Sequence, residues 1–197
     1  MNNYPEYVEV NGKEYKINTD FRIALECQKV ANDDSVGDLE RALGVIYLLF
    51  GEEGINNRED WEKLSKMAQK YLLCGKQLEK VEGEPDMDFE QDMDYIEASF
   101  MSDYRIDLGS QNMHWWKFTK LINGLSNSEL GDCCILNRVR NLRNYDTSDI
   151  KDHKLKDKIE KAKKAVALNK NKKPLTKEQE ESQHSLREQL GIGEGVI

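Results

Sequence analysis

Three observations predict a mainly α protein. Apolar residues recur at spacings of three and four through most of the chain, only three of its 197 residues are proline, and the one clear strand-type alternation is confined to the N-terminal end. The reading is a compact multi-helix domain over residues 1–168, with a small β-hairpin at 7–17 and a lysine-rich helix at its C-terminal end. Residues 169–197 read as a linker and a polar, partly disordered tail, because their apolar face is too thin to fold alone.

The hairpin is predicted by Tyr7-Val8-Glu9-Val10 and Lys13-Glu14-Tyr15-Lys16-Ile17 flanking Asn11-Gly12, a pair that readily takes the positive φ angles of a type I′ turn. A lone hairpin is marginal, so it packs on helices or pairs with a strand of another chain. Thr19 or Asp20 can cap a first helix from Phe21 to about Ala31, and Asn32-Asp33-Asp34-Ser35 breaks it. A second helix covers roughly Gly37 to Phe50, with Leu39, Leu43, Ile46 and Phe50 on one face, and Gly51 to Asn57 reads as a turn. A third runs from about Arg58 to Leu73, with Gly75 near its end.

Tyr95 to Leu125 organises the second half of the chain. Phe89, Met93, Ile96, Phe100 and Tyr104 share one stripe of a helix that ends at Ile106-Asp107-Leu108-Gly109. Asn112 is placed to cap the next helix, where Trp115, Phe118, Ile122 and Leu125 form a second stripe. Two such stripes joined by a short link predict a helical hairpin. Trp116 points about 100° away from Trp115. Either another element covers it or it contacts a partner, since Trp is enriched at interface hot spots. Ser126 or Ser128 can cap a helix through Leu130, Cys134, Leu136, Val139 and Leu142. Asp146-Thr147-Ser148 reads as the start of a last helix, with Leu155, Ile159, Ala162 and Val166 as its apolar stripe and lysines around them.

Charge narrows the function classes. Hydrophobic residues make up 38% and charged residues 34%, and the net charge of −8 disfavours a general nucleic-acid binder, which needs a basic face. The sequence is strongly acidic from Glu82 to Asp107 and strongly basic from Lys151 to Lys173, a segregation suited to head-to-tail self-association or to a charged partner. No secretory or membrane-spanning segment is read in the chain, and the four cysteines show no disulfide framework, which points to a reducing cytosolic setting.

Chemistry finds little support. The acids at Asp86, Asp88, Glu90, Asp92 and Asp94 invite a calcium reading, but the sixth position from Asp86 is Gln91 where an EF-hand loop needs glycine. Acids there also suit the start of a helix. Adjacent Cys133 and Cys134 lack the Cys-x-x-Cys spacing, and His114 reads as a hydrogen-bonded structural histidine. No nucleotide-binding glycine motif occurs. The expectation is a non-enzymatic protein with no catalytic residue, no cofactor and no metal. The residues singled out for partner contact are Trp116, Lys120, Lys154, Lys158 and Lys161. The lysines of the last helix suit an acidic neighbour, including another copy of this chain, and they lack the aromatic residues that stack on nucleic acid.

The stretch from Asp92 through Tyr95, Ile96, Phe100, Tyr104, Ile106, Asp107 and Leu108, followed by His114-Trp115-Trp116-Lys117-Phe118 and Leu121 to Leu125, resembles the bacteriophage gene-product-fifteen family of siphophages and prophages of Gram-positive bacteria. Asp20-Phe21-Arg22 and Tyr71-Leu72-Leu73-Cys74-Gly75-Lys76 are similar to further parts of that family's pattern, and the resemblance spans about residues 15 to 145. It implies a tail-assembly chaperone-like role. Such a protein binds the tape-measure protein in the host bacterial cytoplasm, helps recruit the tail-tube protein, and is absent from the mature virion; a homo-oligomer is the further expectation that the segregated charge allows. The resemblance carries over no catalytic residues, and charge and hydropathy add the expectation of no nucleic-acid and no membrane partner. The alternatives are a structural tail component retained in the virion and a metal-dependent enzyme using the acidic cluster.

Overall fold

The structure, a computed structural model, describes residues 4–77, 85–127 and 133–169. The predicted tail from residue 170 onward, and Ser128 and Leu130 as parts of a helix start, lie outside the described residues. Seven α-helices and one two-stranded antiparallel sheet make the described chain mainly α. The backbone clusters into two compact units. The first takes residues 4–77 with His114–Trp116, and the second takes residues 85–113 and 117–169.

In the first unit, β1 (Tyr7–Val10) and β2 (Lys13–Lys16) pair with Val10 opposite Lys13. Asn11 at φ 52 and Gly12 at φ 79 supply the two positive φ angles of the turn. Val10, Tyr15 and Ile17 are buried, so the hairpin packs on helices of its own chain. Its anchor is polar: the Tyr15 hydroxyl donates to Asp60 Oδ2 at 2.5 Å, and the Asn11 side-chain amide donates to the other carboxylate oxygen. Asp60 ends a single 3-10 turn, Arg58–Asp60.

Helix α1 (Phe21–Ala31) starts at Asp20, whose carboxylate accepts from Arg22 N at 2.9 Å. Helix α2 (Asp38–Asn56) has its regular backbone broken right after Phe50, where the expected helix ends, but helix continues beyond the break where a turn is expected. It bends at Gly51, where φ is 66, and resumes to Asn56; glycine takes that left-handed backbone without the Cβ clash that would end another sequence there. Helix α3 (Trp61–Leu72) buries Leu64, Ala68 and Tyr71 and turns out through Cys74 and Gly75.

In the second unit, α4 (Met93–Tyr104) starts one turn later than the apolar stripe suggests. The Asp88 carboxylate accepts from Glu90 N at 2.9 Å and Gln91 N at 2.7 Å, which holds that segment in a turn. Phe89 still reaches the core, 6.2 Å from Phe118. Arg105 ends α4 in the left-handed region, at φ 56. The expected hairpin is present between α4 and α5 (Trp115–Asn123): Phe100 stacks on Phe118 with centroids 5.3 Å apart, and the Tyr104 hydroxyl donates to Leu121 O at 2.9 Å. Trp115, expected in that stripe, belongs to the first unit.

Helix α6 (Ile135–Asn144) is capped by Cys134, whose Sγ accepts from Asn137 N. Buried Ser99 on α4 donates to Tyr95 O at 2.6 Å and accepts from Leu136 N at 3.1 Å, so one hydroxyl joins the two helices. Helix α7 (His153–Ala165) starts later than expected. Asp152 caps it, while Asp146 closes a tight turn onto Ser148. Its inward face also differs from the predicted stripe. Lys156, Ile159, Glu160 and Lys163 are half-buried, whereas Leu155 and Ala162 are exposed. Thr147 Oγ1 donates to Glu160 at 2.5 Å and Lys163 Nζ to Tyr145 O at 2.5 Å, and these two bonds set that rotation.

The Tyr15 hydroxyl holds the Asp60 carboxyl below the ordinary carboxylate range. A lowered folded value makes the Asp60 contribution full above the unfolded value of about 3.9 and lost as pH falls through the folded one. Wild type is therefore expected to melt higher than Asp60→Asn at neutral pH, with the gap closing as pH falls below about 4. Thermal melts of both proteins across that range check it, and a gap independent of pH would refute the anchor.

Candidate functional site

The residues singled out for chemistry or contact fall into three groups. The first is the His114-Trp115-Trp116 tripeptide in the first unit. Helix α3 ends with carbonyls that have no partner within the helix. The Trp115 indole N–H donates to Leu72 O and the Trp116 indole N–H to Tyr71 O, each at 2.9 Å. Adjacent residues on one helix diverge by about 100°, which lets two neighbouring indoles reach two consecutive carbonyls. Trp116 also stacks on Tyr71, with centroids 6.2 Å apart, and remains half-buried.

His114 completes the clamp. Its Nδ1 accepts from Trp116 N at 3.0 Å, so the proton sits on Nε2, which donates to Pro5 O at 3.1 Å. The ring stacks on Tyr4 at 4.8 Å and meets the edge of Tyr71 at 5.9 Å. Trp115 N donates to Thr19 O at 2.8 Å, beside a β-bridge between Asp20 and His114. The helix start expected at Asn112 is thus served by the His114 ring. Nearby, burial pushes the Tyr71 hydroxyl up and the Cys27 thiol up to about 12, which leaves little thiolate to react.

The second group is the acidic segment 86–94. Asp92 is fully buried, and its carboxylate takes both arms of the Arg143 guanidinium at 2.6 and 2.7 Å. Arg143 also donates to Val166 O at 2.6 Å and Asp86 O at 2.8 Å. Asp86 pairs with Arg140 at 3.1 Å and accepts from Asn144 at 3.1 Å. Gln91 brackets the chain after α7, donating to Ala167 O at 2.8 Å and accepting from Asn169 N at 2.9 Å. The carboxylates of Asp86, Asp88 and Asp92 are thus engaged by arginines, an asparagine and backbone amides. Among the described residues, no group of three or more His, Cys, Asp or Glu side chains is placed to hold a metal ion. Arg140 and Arg143 were not singled out by motif. Their only signal was a pair of cations three residues apart on a helix whose other face is apolar.

The third group is the lysines. Lys154, Lys158 and Lys161 lie on one exposed face of α7, and Lys120 is exposed on α5. All four belong to the second unit, whereas Trp116 belongs to the first.

Two stability tests follow. Trp116→Phe keeps an aromatic ring but deletes the indole's pyrrole part with its N–H, so it is expected to cost about 1 kcal/mol or somewhat more. Trp116→Ala is expected to cost about 2–3 kcal/mol through lost packing as well. Urea unfolding followed by far-ultraviolet circular dichroism reads both, and a Trp116→Phe protein as stable as wild type would remove the indole from the cap. Arg143→Met strands a buried carboxylate and is expected to cost about 3–5 kcal/mol, with most of the loss recovered by adding Asp92→Leu.

No curated protein and no solved structure matches this chain. One family does: that described as "Bacteriophage Gp15 protein" matches residues 1–168, from the hairpin through α7. The match spans well over half of the chain, and the protein belongs to the bacteriophage Gp15 family.

Proposed function

We propose that this protein is a tail-assembly chaperone-like factor, non-enzymatic, that binds the tape-measure protein and aids assembly of the tail tube. It acts in the host bacterial cytoplasm and leaves before the virion is complete. The observation that carries this reading is membership of a phage protein family over residues 1–168, together with the resemblance that places such proteins beside the tape measure. The side-chain geometry is in keeping with it. The histidine and the buried acids that catalysis would recruit are spent on backbone and arginine partners. The exposed large apolar groups among the described residues include Tyr7 on β1 and Tyr47 on α2, at 52% and 55% exposure. Tyrosine offers a partner a broad amphipathic contact at low entropic cost. A long apolar helix such as a tape measure needs that kind of cover while it waits for tube subunits.

Co-expression with the tape-measure protein of the same genome tests the reading. The expected result is a co-purifying complex and a larger soluble fraction of tape measure than without this chain. No complex and no gain in solubility, with this chain folded, would overturn it. Mass spectrometry of purified particles adds the second arm: abundant copies in the virion would assign the protein to a retained structural component instead. A melting midpoint raised by calcium, magnesium or manganese would favour the metal-dependent alternative.

A further inference from the structure

Within the second unit, α4 and α7 each turn one polar arc outward. On α4 the exposed residues Asp94, Glu97, Ala98 and Met101 follow one another at helical spacing, opposite the buried Ile96, Ser99 and Phe100. On α7 the exposed Lys154, Leu155, Lys158, Lys161 and Ala162 lie opposite the half-buried Ile159 and Lys163. The first arc is acidic around Met101, which is 45% exposed, and the second is basic around Leu155, which is 48% exposed. No described residue forms an ion pair with Asp94, Glu97, Lys154, Lys158 or Lys161. By contrast, Asp86 and Asp92, in the same acidic stretch, are taken by Arg140 and Arg143. The α4 arc is acidic and the α7 arc carries lysines with the exposed Asp157 at its border, and each arc carries an apolar residue at its centre or edge.

The geometry points to an interaction surface whose partner is a second copy of this chain, with the acidic α4 arc of one copy seated on the basic α7 arc of the next. Helix α6 packs against both α4 and α7, and the two arcs turn away from it. They therefore do not meet within one unit, and pairing them takes a second molecule. Opposite charge sets the register, and burial of Met101 and Leu155 adds apolar area that neither helix covers alone. Because the two surfaces differ, the contact is heterologous unless two copies exchange both arcs in a two-fold dimer. It propagates into an open chain or closes into a ring, and it leaves one free arc of each kind on every open assembly. This inference uses the second unit alone and stands whether or not the partner of the whole protein is a tape measure.

Charge exchange tests it by sedimentation velocity over a concentration series. Wild type is expected to associate, and to dissociate as salt rises from about 0.05 to about 0.5 M and shortens the screening length. The triple reversal Lys154→Glu, Lys158→Glu, Lys161→Glu places acid against acid. The double reversal Asp94→Lys, Glu97→Lys places base against base. Each alone is expected to weaken association by about tenfold or more. Mixed together, the two reversed proteins are expected to associate again, because each offers an arc complementary to the other. The milder Lys154→Gln, Lys158→Gln, Lys161→Gln variant repeats the first arm with less risk to the helix, and circular dichroism checks that every variant is folded. A wild type that is monomeric at every concentration overturns the inference. So does a reversed protein that assembles like wild type, or a mixture that stays monomeric.

Discussion

The end of α3 sets the constraint on which the first unit depends. A helix end leaves carbonyls without partners inside the helix, and at the half-buried end of α3 protein donors take them: Tyr71 O already accepts from Cys74 N at 2.9 Å. Here consecutive carbonyls, Tyr71 O and Leu72 O, are met by consecutive indoles, those of Trp116 and Trp115. The same tripeptide binds Pro5 O through the His114 ring and Thr19 O through the Trp115 amide. A segment some forty residues downstream of α3 thus joins the N-terminal residues, the approach to α1 and the end of α3 into one body. The tautomer of His114 follows from the same geometry, since an amide donor on Nδ1 leaves Nε2 to donate.

The second unit is held by a different device. Asp92 and Arg143 form a bidentate pair at the meeting of α4, α6 and the end of α7, and Ser99 and Asn137 satisfy backbone groups between α4 and α6. Burying charge is costly, so such a pair contributes register more than net stability. It gives the acidic segment a structural meaning. Two of its carboxylates face arginines, one shapes the turn before α4, and the exposed acids include Glu90 before α4 and Asp94 on its surface.

Family membership and the proposed function rest on different residues. The His-Trp-Trp run and the Phe100 to Tyr104 stripe that carry the resemblance are fold devices, engaged within their own units. The features on which the proposed contacts draw are on the outside: the half-exposed tyrosines, the acidic arc of α4 and the lysines of α7. A binding protein is built in this way when its core can be kept and its surface fitted to a partner, since sites are grafted onto folds and not dictated by them.

Periodicity and turn chemistry by themselves determined the fold class, the hairpin with its Asn-Gly turn, a helix cap at Thr19 or Asp20 and the pairing of the Phe100 and Phe118 stripes, because each follows from contacts between residues near in sequence. They also marked Trp116 as out of place on its own helix and the lysines of α7 as outward. Tertiary structure alone decided what covers Trp116, because its partner Tyr71 lies on another element and a helical wheel sees only one helix. It likewise decided the bend at Gly51, which a turn signal imitates, and the rotation of α7, where hydrogen bonds from Thr147 and Lys163 outweigh a narrow aliphatic stripe. Arg143 was invisible for the same reason. One arginine among several acquires its role only when the chain brings a buried carboxylate within 2.6 Å of it.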